Sequence, residues 1–284
     1  MGYYKQLQIF WQNNPKLTSH ESQDYFDVGT KLGLTFVSSL TSPCPDCKKI
    51  RTRKPGQRYW HCFYCGMTDI ADATGENARI NLELEKAEKA RKQKQALELW
   101  NESVSIIGTA GERYLNSRKL ELPPNPNEVL RWHPRCLFGL RHQPCMVALF
   151  RNAVTDKPVA VHRTCIATGE RMALGPIARA AIKLWPLGSN DTLAVGEGIE
   201  TVLAAVKLGH ADPPAWATSV ANNLSVLPVI KGVRRLVVLA DNDASRTGEK
   251  MARELRRNWV NKEVVIRMPA ESGADFNDLL RRSS

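Results

Sequence analysis

The hydrophobic rhythm of the chain changes along its length, and the change locates its parts. From Asp191 onward, short apolar runs alternate with amphipathic stretches. Strands are predicted at 192–195, 215–219, 236–240 and 263–268, and helices at 199–208, 223–229, 246–259 and 276–280. Such alternation predicts a mainly parallel sheet with helices on both faces. Upstream, apolar runs at 146–150 and 159–167 flank the turn-like Thr155-Asp156-Lys157-Pro158 and predict a two-stranded antiparallel unit. The charge-rich stretch 76–100 lacks Pro and Gly, pairs Glu85/Lys89 and Glu88/Lys92, and aligns Ile80, Leu84 and Ala87. It reads as a solvated connecting helix. Near the start, Thr18 and Glu21 fit a capping box ahead of Tyr25, Phe26, Leu32 and Leu34.

These patterns give an α/β multidomain fold. The expected parts are an N-terminal helical segment (1–41), a four-cysteine module (42–75), a helical linker (76–122), an α+β segment (123–190) and the alternating βα domain (191–284). The break before the α+β segment is Pro123-Pro124-Asn125-Pro126-Asn127, which no helix accommodates.

The composition, 43% hydrophobic and 24% charged over 284 residues, is that of a globular protein with a buried core. With no long apolar run and no signal-peptide pattern at the start, a cytoplasmic protein without membrane association is expected. Forty Lys+Arg against 29 Asp+Glu leave +11, which favours a polyanionic partner. The seven cysteines do not suit a disulfide framework.

Four of them, Cys44/Cys47 and Cys62/Cys65, form two Cys-x-x-Cys knuckles separated by residues 48–61, room for a β-hairpin with a knuckle at each end. Four thiolates close a tetrahedral site, so one structural Zn²⁺ is expected. Lys48, Lys49, Arg51, Arg53, Lys54 and Arg58 interleave with Tyr59, Trp60, Phe63 and Tyr64. Cations that follow phosphates and rings that stack on unpaired bases suit single-stranded nucleic acid, although the aromatics could also pack the ribbon core. His133-x-x-Cys136 and His142-x-x-Cys145 also have ligand-like spacing, but buried thiols, with Cys165 as a third, are the default there.

Glu197 ends one apolar run inside Gly196-Glu197-Gly198, and Asp241 and Asp243 end another two βα units later. In an open parallel sheet all three emerge at the carboxyl edge, where ligands bind. Clustered carboxylates repel unless a cation is present, and loop-borne oxygen ligands suit Mg²⁺. Asp275 and Asp278 could add outer ligands; taken singly, Glu197 could be a helix cap and Asp241-Asn242-Asp243 a turn.

At these residues the chain resembles a known family. Gly196-Glu197-Gly198-Ile199-Glu200-Thr201, Asp241-Asn242-Asp243 and Gly273-Ala274-Asp275-Phe276-Asn277-Asp278-Leu279-Leu280 resemble the three motifs of the Toprim domain. With the four-cysteine ribbon ahead of them, the order resembles DnaG-like primases, in the short form carried by phages, plasmids and integrative elements. The resemblance implies synthesis of short RNA primers from ribonucleoside triphosphates on single-stranded DNA. It implies Glu197 as general acid/base, and Asp241 and Asp243 as ligands for one to three Mg²⁺ or Mn²⁺ ions, with Glu197 and Asp275 completing the set. Asp278 competes with Asp275 for that last position. Arg163, Arg171 and Lys183 become candidates for template or triphosphate contacts, ordinary surface charge being the other reading.

Two rivals share parts of this pattern. A recombination-mediator clamp of the RecR kind also joins a four-cysteine element to Toprim, but has no need of three costly carboxylates. Toprim nucleases of the overcoming-lysogenisation type resemble Toprim fused to an ATPase, and no Gly-x-x-x-x-Gly-Lys-Ser/Thr loop occurs in this chain. Without that loop, unwinding is expected from a separate replicative helicase.

Overall fold

The computed structural model describes residues 40–43, 48, 50–53, 59–61, 68–70, 76–242 and 247–283, and the chain divides into two compact units, Met1–Glu88 and Lys89–Ser284. The helical segment expected before residue 40, with its Thr18/Glu21 box, lies outside the described residues.

In the first unit, β1 (Leu40–Pro43), β2 (Ile50–Arg53), β3 (Tyr59–His61) and β4 (Thr68–Ile70) form an antiparallel sheet in sequence order. The strands β2 and β3 are the hairpin expected between the knuckles. Pairs Pro43↔Ile50 and His61↔Thr68 put the β1–β2 and β3–β4 connections at the same end of the sheet. Cys44, Cys47, Cys62 and Cys65 belong to those connections and lie outside the described residues.

The stretch 76–100 folds as α1 (Glu76–Glu102), and its end is not solvated. Leu82 and Leu84 are exposed, but Ala96, Leu99 and Trp100 are buried against Cys145, Val147, Leu149 and Val161. The charged first half gives the helix a solvated character; the apolar group at 96–100 then contributes roughly 2 kcal/mol per large side chain buried.

The second unit contains two sheets. An antiparallel one has the order β5 (Val104–Ser105), β6 (Leu130–Phe138), β7 (Arg141–Asn152), β8 (Pro158–Cys165), β9 (Arg171–Leu174), with β10 (Ala180–Ala181) paired to β7. The expected two-stranded unit, β7–β8, is thus the middle of a six-stranded sheet. The strand β6 escapes a reading by alternation because Pro134 interrupts it; a register shift between His133 and Cys136 accommodates the missing N–H. Strand β7 is buried on both sides. Met146, Ala148 and Phe150 join one core, Cys145, Val147 and Leu149 the other.

The other sheet is wholly parallel, in the order β12 (Ala215–Ala217), β11 (Thr192–Gly196), β13 (Arg235–Leu239), β14 (Glu263–Arg267). Ala194, Val237 and Leu239 pack with α4 (Ile199–Lys207) and α7 (Phe276–Arg282) on one face. Leu193, Val195, Leu236 and Val238 pack on the opposite face, with Leu224 of α5 (Ala221–Ser225) and Leu255 of α6 (Thr247–Asn258). Two further helices, α2 (Ala110–Ser117) and the short α3 (Pro126–Val129), lie along the chain from β5 to β6. Ile182 exchanges two backbone hydrogen bonds with Ala217, at 2.8 and 2.9 Å, so the segment after β10 continues the antiparallel sheet onto the exposed edge of β12. No helix among the described residues is long and apolar enough to cross a membrane.

Candidate active site

All four parallel strands deliver a polar residue from their carboxyl ends to one cavity. Glu197 follows β11, Ser219 follows β12, Asp241 follows β13, and Asp275 ends the loop after β14. His162 from β8 and Arg171 from β9 line the same cavity, with Gly198, Ile199, Glu200 and Thr201.

The turn carrying Glu197 requires its glycine. A Cβ on Gly196 would meet Val202 Cγ2 at 2.8 Å, so the strand enters the turn against α4 only without a side chain there. The Asp241 and Asp275 loops are stitched together by Asn242. Its N–H donates to the Ala274 carbonyl (3.1 Å), its carbonyl accepts from Gly273 (2.6 Å) and its amide Nδ2 donates to Pro269 (3.0 Å). Gly273, at φ 82, takes the left-handed turn this requires. Asp275 caps α7, its Oδ1 accepting from the Asp278 N–H at 2.7 Å, while the Asp278 carboxylate turns back to the Asp275 N–H. Asp275 therefore lines the cavity, and Asp278 supports it. Asp241 keeps one carboxylate oxygen withdrawn from solvent. Asp243 lies outside the described residues. Among the described residues, no three His, Cys, Asp or Glu side chains are assembled as a metal site. The carboxylates around the cavity are nonetheless hard oxygen donors, the kind a divalent Mg²⁺ or Mn²⁺ accepts.

Facing these carboxylates is an anchored cation. Arg171 Nη2 donates to Glu200 Oε1 at 3.0 Å, and Tyr114 Oη donates to the same oxygen at 3.0 Å. Glu200 is only 4% exposed. Burial alone would raise its pKa, but the Arg171 charge and the hydrogen bonds outweigh it and hold the carboxyl below its ordinary value. Arg171 keeps 46% of its side chain exposed, so the guanidinium is fixed at one side and open at the other. On the Tyr114 hydroxyl, burial and the adjacent Glu200 charge push the pKa up.

His162 is 4% exposed, and Ser219 Oγ lies 2.6 Å from its Nδ1. Burial pushes the imidazole pKa down to about 4, which leaves the ring neutral at physiological pH. Glu200 falls inside the Gly196–Thr201 motif, with no role assigned to it there; of His162 and Ser219, neither stands out in the sequence. The one legible signal is that Ser219 ends a predicted strand, where sheet ligands gather.

The other expected nucleic-acid contacts are dispersed. Arg163 is 5% exposed, alternates with His162 onto the opposite face of β8, and donates to the Leu137 and Ala173 carbonyls. Its guanidinium is committed inside the fold and offers nothing to a template. Lys183 is drawn to Asp156 at 2.8 Å and lies over the Trp216 ring at 4.5 Å, a structural tie between segments. Lys48 is exposed; Arg51 and Arg53 lie on β2 and Trp60 on β3, while Lys49 and Arg58 lie outside the described residues. Cys136, Cys145 and Cys165 are buried free thiols, and His142 is exposed, so the His-x-x-Cys spacings do not converge on a metal site.

Residues 192–284 match the Toprim domain family. The fold is accordingly mixed α/β, with a C-terminal Toprim domain built on the parallel sheet. Residues 90–188 match a family described as a domain of unknown function (DUF7146). The cavity thus draws Glu197, Ser219, Asp241 and Asp275 from the Toprim part and His162 and Arg171 from the other. No curated protein matches the chain. Among solved structures, the chain is similar to the zinc-binding and RNA polymerase domains of the Aquifex aeolicus primase, at 13% identity and TM-score 0.45, covering 90% of this chain and 79% of that one. It is also similar to the primase fragment of the bacteriophage T7 primase-helicase (13%, TM-score 0.44, covering 86% and 95%). A DNA primase domain from Pseudomonas aeruginosa gives 13% and TM-score 0.47, covering 67% and 74%. These are distant likenesses.

Proposed function

We propose that the chain is a DNA primase, making short RNA primers from ribonucleoside triphosphates on a single-stranded DNA template, for replication of a phage, plasmid or mobile element. The observation that carries this reading is the shared cavity in which Glu197, Asp241 and Asp275 face Arg171. The Toprim match over 192–284 and the four-cysteine spacing support it.

Glu197, Asp241, Asp243 and Asp275 would hold Mg²⁺ or Mn²⁺. Such an ion, when bound, aligns a triphosphate and neutralises charge on its oxygens. Glu197 accepts the proton of the primer 3′-hydroxyl as general base. Arg171, fixed by Glu200, presents positive charge to the triphosphate without having to be ordered first. Cys44, Cys47, Cys62 and Cys65 would hold a structural Zn²⁺, and Lys48, Lys49, Arg51, Arg53, Arg58 and Trp60 would follow the template strand. A separate replicative helicase would expose that strand.

The test is incubation with single-stranded DNA, labelled ribonucleotides and Mg²⁺ or Mn²⁺. Oligoribonucleotides that vanish with Asp241→Asn support a primase. Shortened DNA would replace this reading with a nuclease, and DNA retention without any product with a clamp.

A further inference from the structure

We propose that His162 is a positioning residue for Glu197, acting through Ser219. The chain of contacts is continuous. The Ser219 hydroxyl meets His162 Nδ1 at 2.6 Å, and the Ser219 backbone N–H donates to the Glu197 carbonyl at 2.8 Å. Beside it, the Thr218 N–H donates to the Gly196 carbonyl at 2.9 Å, and Thr218 Oγ1 donates to the same oxygen at 3.1 Å. The Glu197 turn is therefore fastened to the residues after β12 along its whole entry.

The fastening needs help at Ser219, whose φ of 69 lies in the left-handed region. A residue with a Cβ occupies that region at a cost of about 1 kcal/mol or more, and stays only where its surroundings hold it. The imidazole does the holding. It is itself buried on β8 and packed edge-on to Phe150 with ring centroids 6.5 Å apart. Charged groups near it are Glu200, Arg171 and Arg163; burial, aided by the two arginine charges, outweighs the pull of Glu200 toward protonation and keeps the ring neutral. A neutral ring holds the hydroxyl with either tautomer and adds no charge beside the carboxylates. Through this contact β8, a strand of the domain of unknown function, sets the orientation of the acidic residue on the Toprim turn.

The inference rests on Glu197 being the general base, so its test has two readouts on the full chain. The first is primer synthesis. In His162→Asn the amide sits about where Nδ1 was, whereas in His162→Gln it reaches the former Nε2 position. His162→Asn should keep kcat within about threefold of the natural chain. His162→Gln and Ser219→Ala should each lower kcat by roughly tenfold or more while leaving KM for the nucleotide nearly unchanged, and combining them should add little. Equal activity of the Asn and Gln variants, additive losses, or an effect confined to KM would overturn the inference. The second readout is amide hydrogen exchange at Ser219 by NMR, which needs no turnover. Exchange about tenfold faster in Ser219→Ala and His162→Gln, but not in His162→Asn, supports the contact chain; unchanged protection sinks it. If the natural chain makes no primer, the polymerase reading fails, and the exchange data still decide the positioning role.

Discussion

Replacing Arg171 by Ala strands Glu200, and the structure says how much that should hurt. The carboxylate is 4% exposed, and of its two side-chain donors only the Tyr114 hydroxyl remains. Removing one partner of a fully buried ion pair costs about 3–5 kcal/mol. Because nearly half of the Arg171 side chain meets water, solvent screening reduces this to about 2–3 kcal/mol. For a unit of this size that is a drop of roughly 8 °C in the unfolding midpoint. The pH dependence carries the sharper signature. In the natural chain Glu200 sits below its ordinary pKa, so its pairing stabilises the fold above the ordinary carboxylate range, and this contribution is lost as pH falls through the lowered value. In the variant, burial is no longer opposed by the Arg171 charge, and the carboxyl pKa should rise, so that acid relieves the stranded charge. The stability deficit relative to the natural chain should be largest near pH 7 and shrink toward pH 4.5, the ordinary value. Urea denaturation at several pH values measures it. Adding Glu200→Gln to Arg171→Ala should recover stability at pH 7, since Gln accepts from Tyr114 without a charge. A deficit independent of pH, or a double variant no more stable than Arg171→Ala, would refute the account of Glu200 as a buried charge held by Arg171.

Other outcomes are equally specific. His162, ordinarily near 6.5 and held at about 4, should make the fold lose up to about 3 kcal/mol as pH falls from 6.5 to 4, because the unfolded chain takes up the proton first; urea midpoints should show a shallower slope in His162→Asn. Gly196→Ala, with its Cβ 2.8 Å from Val202, should cost about 1–3 kcal/mol in chemical denaturation and reduce primer yield by displacing the Glu197 turn. Asp241→Asn should lower primer synthesis at least a hundredfold with little change in melting temperature. Cys44→Ser should lose the zinc that elemental analysis finds in the natural chain and weaken template use.

What the amino-acid order determined on its own is the periodic and the local. The βα alternation from residue 191 onward places strands and helices within a few residues of those observed, because β11, β12 and β13 are buried along most of their length and β14 keeps an apolar centre, so each reads as a short apolar run. The carboxyl-edge rule then brings Glu197, Asp241 and Asp275 to one cavity. Where neither condition held, the pattern was silent: β6 is interrupted by Pro134, and the charges of α1 conceal the buried group at its end. What only the tertiary structure decided is the other half of the site. Arg171, His162 and Tyr114 lie on strands and a helix far from Glu200 and Ser219 in sequence; Arg171 was legible only as one of three basic candidates, and nothing in the neighbourhoods of His162 and Tyr114 marks them. Arg163 and Arg171, alike in the sequence, part company because the pleat of one strand turns Arg163 into the core, while Arg171 meets a buried carboxylate at the cavity. Long-range packing alone decides which basic residue faces a ligand, since the energy of a buried charge depends on the partner that the fold brings to it.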